Sequence, residues 1–177
     1  SDAGSSPQDP APAIEIRPTT RDDLPALVEI YLSSARHHAR IDPAAFHVPE
    51  PDAVAERLLR RVDGRGETSE YLSAVVDGQV VGSAGIEIWE SPHPGAMQRP
   101  IPTAEIGVAV LDSHRGRGVG SALMTALEAW AVDHAIERIF LSMSSANDGA
   151  IRLYERLGYV PFGQEMRKAI GPASAFR

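Results

Sequence analysis

The sequence predicts a mixed α/β fold with strands and helices packed as layers around one core. Three observations predict it. Apolar residues switch between alternating and helical spacing along the chain, Asp77-Gly78 joins two strand-like runs, and a glycine-rich turn separates a strand from an amphipathic helix. The 177 residues are enough for one domain that buries a core without staples.

The elements follow in order. Ile14 to Arg17 alternates as a short strand that Pro18 ends. Thr20 or Asp22 is the candidate cap of a helix to about His38, with Leu24, Leu27, Val28, Tyr31 and Leu32 on one face. Pro43 to Pro51 breaks the pattern, and a second helix from Asp52 carries Val54, Leu58, Leu59 and Val62 to the stop at Asp63–Gly66. Tyr71 to Val76 and Gln79 to Trp89 form a hairpin on Asp77-Gly78; Gly82 and Gly85 in the second strand signal a bulge or close packing. Glu90 to Pro102, with four prolines, is a loop, and Thr103 to Leu111 is a third strand. Val119, Leu123, Met124, Leu127 and Trp130 define a helix to about His134. Ile139 to Met143 is a short strand, Asn147 to Leu157 a helix ended by Gly158, and Tyr159 to Ile170 a last strand. The order is β-α-α-β-β-β-α-β-α-β.

Composition narrows the function. Hydrophobic residues make up 43% and charged residues 23%, as in ordinary globular chains. Without cysteine there is no disulfide frame, thiolate metal site or thiol nucleophile. The net charge of −7 argues against a nucleic-acid partner and suits a cationic or neutral substrate. No apolar run reaches the ~18 residues of a spanning helix, so no membrane partner is expected. A signal-peptide pattern is absent as well, which makes the cytoplasm the default compartment. Residues 1–13, rich in Ser, Pro and Ala, read as a disordered leader to a single domain over residues 14–177.

The chemistry concentrates at Arg115-Gly116-Arg117-Gly118-Val119-Gly120, between a strand and a helix. Glycine lets the backbone approach a ligand closely. The first amides of a helix lack partners and carry partial positive charge, so a diphosphate fits such an end. Arg115 and Arg117 add cations able to bind phosphate bidentately. The alternating glycines do not match G-x-G-x-x-G, and no Gly-Lys-Ser/Thr follows, which excludes the dinucleotide fingerprint and the P-loop.

This turn and the order of elements resemble the GCN5-related N-acetyltransferase (GNAT) family. Arg115, Gly118 and Gly120 fill its Arg/Gln-x-x-Gly-x-Gly/Ala signature, and Asn147 through Ala150, Leu153-Tyr154-Glu155-Arg156-Leu157-Gly158-Tyr159 resembles its "Asn…Ala…Leu-Tyr-Glu-Lys-x-Gly-Phe" stretch. The resemblance spans about residues 14–170. It implies a mostly antiparallel sheet with helices on both faces and splayed central strands. It also implies acetyl-CoA as co-substrate and no metal.

By that resemblance, the backbone of Val108, Ala109 and Val110 bonds the pantetheine arm in strand-like fashion. The amides from Arg115 through Gly116, Arg117, Gly118, Val119 and Gly120 to Ser121 hold the diphosphate, and Asn147 bonds the pantetheine side. Tyr154 matches the general acid that protonates the departing thiolate. Candidates for the base are Glu105 and Glu87, acting directly or through water, with period two placing Glu105 on the face opposite Ile106, Val108 and Val110. His37, His38 and His47 on one side, and Trp89, His93 and Arg99 on the other, flank the implied acceptor pocket; the histidines lack metal-ligand spacing. The implied acceptor is a primary amine of a small molecule or peptide, and a homodimer is among the family's assemblies. Three further readings stay open: a non-catalytic acyl-CoA-binding module, a transferase using another acyl-CoA, and a partner-binding protein whose glycine turn is only structural.

Overall fold

A computed structural model describes residues 13–90, 92 and 95–168. The elements are β1 (Glu15–Pro18), α1 (Leu24–Ile41), α2 (Pro51–Asp63), β2 (Ser69–Val76), β3 (Gln79–Ile88), β4 (Thr103–Val110), α3 (Val119–Asp133), β5 (Arg138–Phe140) and α4 (Asp148–Arg156), with 3-10 turns at Arg21–Asp23 and Asp112–His114. One sheet runs β1-β2-β3-β4-β5, antiparallel except for the parallel β4–β5 pair. Of the proposed leader at residues 1–13, residues 1–12 lie outside the described residues.

Each face of the sheet has its own core. On one, Leu72, Ala74, Ala84, Ile86, Ala104 and Ile106 meet Val119, Leu123, Met124 and Leu127 of α3 and Tyr154 of α4. On the other, Tyr71 packs with Leu27 and Leu32 of α1 and Val54, Leu58 and Val62 of α2. Fully burying an aliphatic side chain such as Leu123 contributes about 1.5–3 kcal/mol. The alternation of β4 follows from this: Ala104 and Ile106 are buried while Glu105 and Gly107 are exposed, as the period-two reading of Glu105 requires.

Both glycines of β3 mark close approach. A Cβ on Gly85 would stand 2.6 Å from the Tyr71 ring, and one on Gly82 would stand 2.9 Å from Val119 Cγ1. The second contact lets the first residue of α3 sit directly on the sheet. Beside it, Ala74 pairs with Gly82 and Val75 with Val80, so Val81 is the extra residue of a bulge.

The sequence reading needs correction at its end. No strand forms over the described residues 159–168, and 169–170 lie outside them. Gly158 turns the chain at φ 89°, Pro161 can donate no ladder bond, and the Tyr159 hydroxyl reaches back to Glu128 of α3 at 2.9 Å. β5 is likewise shorter than read, stopping at Phe140. Among the described residues no helix is long and apolar enough to cross a membrane.

Candidate active site

The site forms where the sheet comes apart. β4 pairs with β3 from Ile88↔Ala104 to Gly82↔Val110, but with β5 only at Thr103↔Arg138, Ala104↔Ile139 and Glu105↔Phe140. Because β5 ends there, β4 from Ile106 to Val110 has no strand neighbour on that side among the described residues. Val108, Ala109 and Val110 lie on this edge, whose backbone has no strand partner among the described residues and is a template for an extended amide-bearing chain.

The glycine turn continues the edge. Leu111 N bonds Val81 O at 2.9 Å, the chain makes its 3-10 turn, and Gly116 and Gly118 take φ of 71° and 85°. These are left-handed conformations that side chains disfavour. The first bond of α3 runs from Ala122 N to Gly118 O at 2.9 Å, leaving the amides of Val119, Gly120 and Ser121 without helical acceptors. A Cβ on Gly116 would meet nothing within 4 Å, so that backbone is open to a ligand. Gly120 differs, since a Cβ there would stand 3.1 Å from Leu153 Cδ2 and 3.9 Å from Val110 Cγ2. Its smallness brings α3, α4 and the end of β4 together. Arg117 is exposed, whereas Arg115 donates to Val110 O at 3.3 Å and pairs with Asp112 at 2.9 Å.

On α4, Asn147 is the N-cap and its Oδ1 accepts from Ala150 N at 3.3 Å. Tyr154 is buried in the core that β4 shares, its ring edge-on to Tyr159 at 5.9 Å between centroids. Burial pushes its phenol above the ordinary value, so it is protonated at neutral pH. Its hydroxyl donates to no described protein group.

The two carboxylates proposed as bases stand on the other face, and they are direct cross-strand partners. Both are exposed. Trp89 Nε1 is 3.4 Å from Glu105 Oε2, and the Trp89 ring stacks on Phe140 at 5.3 Å. Phe162 closes edge-on to Phe140 at 4.9 Å. Trp89 therefore belongs to an aromatic wall beside Glu105 and is 47% exposed rather than core. Phe140 and Phe162 were missed by sequence reasoning. Phe140 enters the site only through the parallel register, and Phe162 through a segment read as a strand.

The other flank is uneven. His37 is half-buried and held below the usual imidazole range first by burial and next by the Arg115 guanidinium, with a hydrogen bond to Asn147 pulling the other way. His38 bonds Ser34 O at 2.8 Å and packs on Phe46 at 5.2 Å, while His47 is exposed. Arg99 is exposed on its loop, and His93 lies outside the described residues. Among the described residues no group of His, Asp and Glu could hold a metal ion. Sequence reasoning also missed Asp112, which binds Arg115 and, at 3.5 Å, Arg40 of α1.

Known proteins share this architecture. A Bacillus halodurans protein solved as a mutant superposes with a TM-score of 0.80 at 24% identity, over 88% of this chain and 99% of that one. An aminoglycoside N-acetyltransferase solved with CoA superposes at 0.66 and 19% identity, over 93% and 98%. In sequence, the phosphinothricin N-acetyltransferase of Streptomyces viridochromogenes is 29% identical over 152 residues, 85% of this chain and 76% of the relative. Of two further curated relatives the chain spans only 23% and 38% of the length. The model of the acetyltransferase (GNAT) family matches residues 26–159, a stretch that holds the free edge of β4, the glycine turn and Tyr154, and the chain belongs to that family.

Proposed function

We propose that the protein is an N-acetyltransferase that moves an acetyl group from acetyl-CoA to a primary amine of a small molecule or peptide. The observation that supports this most is the continuity of the β4 free edge with the open amides of the α3 start. One acyl-CoA molecule needs both: an extended edge for its pantetheine amides and a positive helix end for its diphosphate. The CoA bound to an aminoglycoside acetyltransferase of the same fold agrees with that reading. The compartment proposed for the reaction is the cytoplasm.

The residues divide the chemistry between the two faces. Glu105, the last β4 residue with a β5 partner, stands at the mouth of the gap. It takes a proton from the substrate ammonium, directly or through water, with Glu87 across the strand holding the cationic amine nearby. The free nitrogen attacks the thioester carbonyl. Backbone N–H groups on the free edge of β4 donate to the carbonyl oxygen as negative charge develops. As the C–S bond breaks, Tyr154 gives its proton to the sulfur, which its burial keeps available, and the acylated nitrogen releases its second proton to solvent to leave the neutral amide. Solvent then returns a proton to the phenolate.

Calorimetric titration with CoA and thiol release from acetyl-CoA over a panel of amines test the proposal. Binding with turnover of at least one amine is expected. No binding at millimolar CoA would sink the reading. Binding without turnover across a wide panel would make the protein a non-catalytic acyl-CoA module, and turnover with longer acyl-CoA alone would change the donor.

A further inference from the structure

α1 reaches the glycine turn from a distant part of the sequence. Asp112 holds two guanidiniums at once: its Oδ1 lies 2.9 Å from Arg115 Nη2, and its Oδ2 lies 3.5 Å from Arg40 Nη2. One carboxylate thus sits between two arginines at the mouth of the turn, and the exposed Arg117 follows two residues after Arg115 in the same turn. Three residues before Arg40, on the same face of α1, His37 lies among Arg115, Asp112 and Asn147. α1 therefore reaches the turn through Arg40. Arg40 is 63% exposed and Asp112 51%, so exchanging one anion for another costs little desolvation.

We propose that Arg40 is a ligand of the cofactor diphosphate: it exchanges the Asp112 carboxylate for a phosphate oxygen and so closes α1 over the bound CoA. A diphosphate carries more charge than one carboxylate, and the guanidinium fork suits phosphate oxygens. Asp112 holds the two arginines in place until the phosphate arrives. The inference rests on the CoA reading above and adds a wall that the family signature does not contain.

The test is calorimetry on the full chain with three probes: CoA, dephospho-CoA (which keeps the diphosphate but lacks the 3′-phosphate) and pantetheine, which lacks both. Arg40→Gln is expected to weaken CoA and dephospho-CoA alike by about three- to fivefold, and to leave pantetheine unchanged. Arg40→Lys should recover part of the loss. Unchanged CoA affinity in Arg40→Gln would overturn the assignment while the CoA reading stands. A loss seen with CoA alone would move Arg40 to the 3′-phosphate, and an equal loss with pantetheine would mean α1 itself was disturbed; either overturns the diphosphate contact. Failure of the unmutated protein to bind CoA removes the function reading and this inference together.

Discussion

Two arginine–aspartate groups lie at the two ends of α1, and they are built differently. In the β1–α1 corner, Arg17 grips Asp23 through both nitrogens at 2.7 and 2.8 Å. The Asp23 side chain is 6% exposed and also accepts from Thr20 N at 2.9 Å and Ser73 Oγ at 3.3 Å. At the glycine turn, Asp112 is half exposed and shares single contacts between Arg115 and Arg40. A buried carboxylate with its lone pairs filled has nowhere else to go, because breaking it leaves an uncompensated charge. An exposed carboxylate with loose contacts can be replaced by another anion at small cost. The first group is architecture; the second is the place proposed for a ligand.

The comparison can be broken by mutation. The largest effect is expected from Gly118→Glu, which puts a side chain and a negative charge on a residue at φ 85° beside the open amides. CoA affinity should fall by about 100-fold or more in calorimetry; retained affinity would remove the turn as the diphosphate site. Tyr154→Phe comes next. Turnover should drop by about 100-fold with the CoA dissociation constant nearly unchanged, as measured by steady-state kinetics beside calorimetry. Unchanged turnover would strip Tyr154 of its role as acid.

Asp23→Asn should cost about 2 kcal/mol of stability and leave CoA affinity alone. Its wild-type carboxyl is lowered to about 2, first by the hydrogen bond from Arg17. A carboxyl depressed in the folded state lends stability above its unfolded value of about 3.9. That contribution is lost as pH falls from about 4 toward 2. Chemical denaturation at pH 7 and pH 2.5 should therefore show the wild type losing its advantage over the variant in acid. A constant gap between them would refute the buried pair. The smallest effect belongs to Asp112→Asn: stability within about 0.5 kcal/mol of wild type, and CoA binding tightened about twofold as the competing carboxylate disappears. Weaker binding would show that Asp112 orients the arginines for the phosphate.

What was legible in the sequence was local. The Asp77-Gly78 hairpin, the caps at Asn147 and Gly158, and the apolar face of α3 are written in neighbouring residues, and they formed as read. The glycine turn was legible for the same reason. Pairings between distant segments were not. Nothing local states that Glu87 stands opposite Glu105, that Phe140 lies beside Glu105, or that α1 brings Arg40 to Asp112. The last strand was misread because Tyr159 to Ile170 has residues that suit a strand, while β5, only Arg138–Phe140 long, gives it little edge to join. Gly120 shows the limit from the other side. The signature places it with the cofactor, whereas its packing against Leu153 gives it a structural duty as well.

The bulge at Val81 has a consequence for how the acidic pair tolerates sequence change. Side chains in a strand alternate in phase, and one added residue inverts everything beyond it. If the present β3 were laid straight from Val75↔Val80, Ile86 would stand opposite Ser69 and Glu87 would point into the α3 core. The bulge absorbs the odd residue, so Ser69 faces Glu87 and Glu87 faces Glu105. Val81 thus works as a phase corrector for the ladder. Removing it would keep every pairing from Ala74↔Gly82 onward, whereas a deletion elsewhere between Gly82 and Glu87 would throw one carboxylate out of step with the other.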